Sequence, residues 1–140
     1  MNRYVVIPCG GAKLPHSAHA DELYTGSMFK DTLRTALTMT TRDNVFILSA
    51  KYGLVQLDTV LAPYDLKMGQ AGSVDADQVQ RDLRELIDFS TAYTLDALLP
   101  KAYLKVLEEA TTDWVNSHYE GCRGIGDQKA RLAQLRKAAA

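Results

Sequence analysis

The feature that most constrains the fold of this chain is a pair of short, almost unbroken apolar runs. Tyr4-Val5-Val6-Ile7-Pro8 and Asn44-Val45-Phe46-Ile47-Leu48-Ser49-Ala50 bracket a segment of helical period. A strand with one wet face alternates apolar and polar residues, whereas a strand covered on both faces does not. Between the runs, from Met28 to about Thr40, Phe29, Leu33, Ala36 and Leu37 fall on one helical face, with Ser27 placed to cap it. Farther on, Asp75 opens a second helix with Gln78 three residues later and Val79, Leu83, Leu86 and Ile87 as its stripe. Residues 92–99 read as a third strand. Pro100 then suits the first turn of a helix carrying Leu104, Val106 and Leu107. Trp114 to Tyr119 read as a short fourth strand, and Asp127 is placed to cap a last helix to about Lys137. Strands alternating with helices predict a three-layer α/β domain, with a small, mainly parallel sheet of about four strands flanked by helices. Residues 9–26 and 51–72 remain as connections, and the length of the second marks it as functional or partly structured.

A chain of 140 residues makes one domain, here residues 1–140, with room for one real core. A net charge of −1 gives it no overall attraction to nucleic acid or membrane, so any such binding needs a local basic patch. Arg123, Lys129, Arg131, Arg136 and Lys137, opposed only by Asp127, form either such a patch or a solvated helix face. No secretory leader and no membrane-length apolar run is expected, which points to a reducing, cytoplasmic setting. There Cys9 and Cys122 are not expected to pair.

Parallel sheets bind ligands beyond the carboxyl ends of their strands. That rule brings PCGGAK (residues 8–13), SAKYG (49–53) and the turn 121–126 to one edge. Gly10 and Gly11 allow close backbone approach to a ligand, and Lys13 offers a cation or, if burial lowers its pKa, an amine nucleophile. The alternative is a strand end with a buried thiol and a surface lysine. Cys9 reads as pocket wall, and with His16 and His19 it lacks the paired spacing of a zinc site, so neither metal nor cofactor is expected. Ser49, Lys51 and Tyr52 leave the second strand together, Gly53 permits a left-handed turn, and Tyr64 and Asp65 follow Pro63. Those tyrosines either stack on and hydrogen-bond a planar base or pin a long loop. Gly124-Ile125-Gly126 with Ala130 matches half of a helix-hairpin-helix element, in which helix N-terminal amides hold a phosphate; the other reading is a glycine-rich turn before a helix.

In combination the motifs go further. ILSAKYGLVQLDTVLAPYDLKMG resembles the signature region of the peroxide-stress YaaA family through Ser49, Tyr52, Gly53, Leu54, Leu57, Asp58, Pro63, Tyr64, Leu66, Met68 and Gly69. Lys13 corresponds to that family's early lysine, and Tyr24-Thr25-Gly26 to its Y-x-G element. The likeness covers roughly residues 4–70 and is nearer to compact phage and actinobacterial relatives of unknown function. Pro8, Cys9 and Lys13 also resemble the P-C-x-x-x-K start of an archaeosine synthase motif, whose continuation is out of register here. Together these resemblances imply a relation to the uracil-DNA glycosylase-like fold and the handling of nucleobases or DNA.

The expected function is therefore a nucleobase- or nucleic-acid-directed enzyme, cleaving an N-glycosidic bond or modifying a base. Lys13, Asp58 and Tyr52 are its catalytic candidates. Cys9, Gly10, Gly11, Tyr24, Gly26, Ser49, Lys51, Gly53, Tyr64, Asp65, Gly124 and Gly126 are its binding candidates, and a base, nucleoside or DNA is its partner. The competing class is a non-catalytic DNA- or nucleotide-binding module of stress response or phage biology.

Overall fold

A computed structural model describes residues 1–140. The strands are β1 (Asn2–Pro8), β2 (Ala18–His19), β3 (Val45–Ser49), β4 (Gly53–Gln56), β5 (Val60–Leu61), β6 (Tyr93–Ala97) and β7 (Val115–Ser117). The helices are α1 (Ala20–Leu23), α2 (Ser27–Met39), α3 (Ala76–Leu86), α4 (Lys101–Ala110) and α5 (Ile125–Ala139), with a 3₁₀ turn at Arg42–Asn44. The central sheet has five strands in the order β4-β3-β1-β6-β7, and β2 pairs with β5 in a small separate ribbon. All neighbours in the central sheet are parallel except β3 and β4.

The period of two in β1 explains the three layers. Tyr4 and Val6 point into one core with Phe46 and Leu48 of β3, Val79 and Leu83 of α3, and Leu107 of α4. Val5 and Ile7 point into the opposite core with Val45 and Ile47, Phe29 and Ala36 of α2, and Leu132 of α5. Both faces of β1 and β3 are thus buried, as unbroken apolar runs require. The chain winds from β1 through α2 to β3 on one side, then crosses β1 to β6 and β7 on the other. The winding reverses between β1 and β6, and at such a reversal the loops at the carboxyl ends part to leave a crevice.

Several expectations are corrected. The sheet has five strands rather than about four, because β4 folds back antiparallel on β3 inside the stretch read as a long connection. Residues 9–26 hold β2 and the buried single turn α1. Ser27 is the first residue of α2, whose cap is Gly26, with no side-chain capping bond. Leu37 is 40% exposed, while Thr32 and Thr35 are buried; their hydroxyls donate to the Met28 and Asp31 carbonyls and so tolerate burial. α5 begins two residues before Asp127, whose carboxylate accepts the Arg123 amide at 2.9 Å. Asp75 does cap α3, accepting the Gln78 amide at 2.9 Å. No helix is long and apolar enough to cross a membrane.

Candidate functional site

Three short devices place the side chains at the carboxyl edge. The Cys9 amide donates to Leu48 O, extending the β1–β3 ladder by one residue. Lys13 and Tyr24 form an isolated antiparallel bridge, reinforced by Leu14 N to Leu23 O and Thr25 N to Ala12 O, which holds the loop after β1 against the Tyr24-Thr25-Gly26 element. At the end of β3, Ser49 Oγ accepts the amides of Lys51 (3.2 Å) and Tyr52 (3.0 Å), closing the turn into β4.

With both lone pairs occupied, Ser49 Oγ donates to the Tyr64 hydroxyl at 2.8 Å, and Tyr64 in turn donates to Tyr24 at 2.7 Å. The Lys13 ammonium lies 4.3 Å from the Tyr64 ring centroid and 5.8 Å from that of Tyr24. Its hydrogen-bond partner is Gly11 O at 3.2 Å, and no carboxylate pairs with it. Tyr52 packs edge-on against Tyr64 at 5.5 Å and donates to Ala62 O. The Cys9 thiol contacts the Tyr103 hydroxyl at 3.2 Å.

Burial, only partly offset by the bond to Tyr64, pushes the Tyr24 hydroxyl up to about 12. Burial, then the neighbouring Cys9, drives Tyr64 and Tyr103 upward as well. All three phenols therefore keep their protons at neutral pH, and that of Tyr64 is given to Tyr24. The Lys13 ammonium, a cation with no carboxylate partner, suits negative charge that develops on a bound molecule.

The structure gathers Lys13, Cys9, Tyr24, Ser49, Tyr52 and Tyr64, residues far apart in sequence. They pack on one another, and the open space lies beyond Cys9. There a cavity of about 180 Å³ is walled by Cys9, Gly10, Phe29, Thr32, Tyr103 and Tyr119, among others. Gly10 and Gly11 have no left-handed backbone, whereas Gly53 does, at φ +82°. Gly26 caps α2, beside the cluster. Lys51 is exposed, with its ammonium over the Tyr52 ring, and Asp65 is exposed next to Tyr64 in sequence.

Asp58 is not brought to this site. It is ion-paired with Arg42 at 2.7 Å, just before the start of β3 and hence at the opposite edge of the sheet. Gly124 and Gly126 lie in the first turn region of α5, but the element before them is a strand, so no helix hairpin exists. Two residues of the basic tail, Arg131 and Arg136, are committed internally, while Arg123 forms a surface pair. Arg131 donates to His118 O and Glu120 O, Arg136 to Thr35 and Asp31, and Arg123 to Asp127. Cys9 and Cys122 are both free thiols. His19, Asp21 and Glu22 place possible metal-ligand atoms within 4.8 Å of one another, and Arg42 already engages Asp21.

Tyr103 and Tyr119 escaped the sequence reading. Tyr103 had a usable signal, since it follows Pro100 at the junction of a strand with a helix, where the sheet edge lies. Tyr119 looked like the end of a strand and had none.

The fold and site define a doubly wound α/β domain with a tyrosine-walled, lysine-bearing site at the carboxyl edge of its sheet. Within that class, the chain belongs to a family of unknown function, DUF6884, whose sequence profile matches residues 4–134. No curated protein matches it.

Proposed function

We propose that this protein is an enzyme acting on a nucleobase or nucleoside, by N-glycosidic cleavage or base modification, at the Lys13–Tyr64 face. The observation that carries the reading is the Lys13 ammonium, without a carboxylate partner, above a tyrosine whose hydroxyl is fixed by Ser49 and Tyr24. A base leaving a sugar takes up negative charge, and a cation held beside it stabilises that charge more than the ground state. Lys13 acts as this electrostatic group, Tyr52 and Tyr64 supply ring surface, and Asp65 is the carboxylate available to orient water. The YaaA-like register of residues 49–69 and the implied kinship with uracil-DNA glycosylase-like folds support the same substrate class. The competing reading, a DNA-gripping module, loses support because Arg131 and Arg136 are spent on internal contacts.

The test is calorimetric titration of free bases, nucleosides and short DNA into wild type and Lys13→Ala, with base release followed by chromatography. Binding of a base or nucleoside that weakens at least tenfold in the variant is expected. A response to DNA alone, indifferent to Lys13 and fading with salt, would leave the binding module in its place.

A further inference from the structure

We infer that the free edge of β7 is a self-pairing surface, on which a second copy of this chain docks antiparallel and joins the two central sheets into one. The inference is independent of the reaction proposed above.

A strand at a sheet edge turns half of its backbone N–H and C=O groups outward, and natural sheets usually block such edges. This sheet blocks one edge and leaves the other open. At β4, Asp82 of α3 takes the outward Leu54 amide. At β7, His118 N donates to Ala97 O, and in the parallel register this puts Asn116 on the same inward side. Val115 and Ser117 therefore turn their N–H and C=O groups away from β6, and no loop or cap bond takes them. The strand, Val-Asn-Ser, carries no proline and no charge to repel a neighbour. A groove of about 380 Å³ follows this edge, lined by Trp114, Val115 and Ser117 and, from α4, by Lys101, Leu104 and Glu108. Trp114 is 84% exposed, an indole left in water beside unpaired backbone.

Charge says what covers the edge. Lys101 and Glu108 line the groove about two turns apart on α4, and neither has an ion-pair partner within the chain. A two-fold axis turns α4 of a second copy antiparallel, so that each lysine faces the other copy's glutamate. A foreign strand must bring its own matching charges, whereas this chain already carries them. The backbone agrees. Centred on Asn116, an antiparallel copy pairs Val115 with Ser117 of the second copy, and the reverse, which uses every outward group of the strand. The same register sets Trp114 opposite His118 of the second copy, on the face both share with Asn116. Three residues of strand are a short ladder, so the helix charges and the covered indole supply the rest of the contact.

The experiment is sedimentation equilibrium of the full chain over a range of concentrations, with the emission of Trp114, the one tryptophan, followed in parallel. A concentration-dependent dimer is expected, its emission moving to shorter wavelength as it forms. Lys101→Glu alone and Glu108→Lys alone each set like charges face to face, and each should raise the dimer Kd about tenfold or more. The double exchange Lys101→Glu/Glu108→Lys should bring Kd back toward wild type, and the two single variants, mixed, should pair with each other. That mixed pair separates lost complementarity from misfolding, since misfolded chains do not rescue one another. A chain that stays monomeric at every concentration overturns the second copy as occupant and leaves the edge to a foreign strand. A dimer indifferent to both reversals, or one that the double exchange does not restore, overturns this surface as its interface.

Discussion

Gly53 shows how much one residue can hold. Its φ of +82° lies where a side chain adds roughly 1–2 kcal/mol of strain. A Cβ there would also sit 2.2 Å from Asp82 Oδ2, the atom that accepts the Leu54 amide at 3.0 Å. Gly53→Ala must therefore both strain the turn and displace a carboxylate that satisfies the first amide after it. The loss expected is at least about 2 kcal/mol, read as a lower urea midpoint; an unchanged midpoint would refute this account of the turn. The left-handed turn was legible in the sequence, because only glycine enters that region without strain. The contact with Asp82 was not, since it joins positions 28 apart.

Among the elements, the helix starts differ in how they are capped. α3 carries its own cap, so Asp75→Ala should cost about 1 kcal/mol and lower the melting temperature. Ser27, which the sequence suggests as a cap, makes no capping bond, and Ser27→Ala should leave the melting temperature nearly unchanged. Equal effects in the two variants would contradict these cap assignments. β1 and β3 were readable because both faces are buried and every position is apolar. β4 was not, because four residues after a turn give too short a pattern to separate strand from loop.

For the whole molecule, the sheet edge away from β4 is tied by one buried carboxylate. Asp96 is 2% exposed and accepts from Arg3 Nε at 3.0 Å, His118 Nε2 at 2.6 Å and Asn116 Nδ2 at 3.0 Å, linking β1, β6 and the residues around β7. Burial alone would raise its pKa, but the bonds from His118 and Arg3 outweigh burial and hold it down to about 2, against an ordinary 3.8. A depressed carboxylate contributes stability that is present above pH 4 and is lost as pH falls toward 2. The amount is about 2 kcal/mol. Asp82, which burial shifts upward, works in the opposite sense and offsets part of this loss. Denaturant unfolding from pH 5 to pH 2 should show a steeper loss in wild type than in Asp96→Asn. Parallel curves would mean that the network does not couple stability to pH.

The sequence by itself determined the local terms: two buried strands, the Asp75-capped helix, the glycine turn at Gly53 and the α/β alternation. Each rests on residues within a few positions of one another, where period, capping and backbone freedom act. The tertiary structure decided which of the candidate site residues meet, and at what distances. The hydroxyls of Tyr24 and Tyr64, 40 positions apart, meet at 2.7 Å. Cys9 meets Tyr103 across 94 positions. Asp58, close in sequence to the cluster, is carried to the far edge because β4 runs antiparallel to β3. Winding order and strand direction set those distances, and neither is written in the spacing of any single motif.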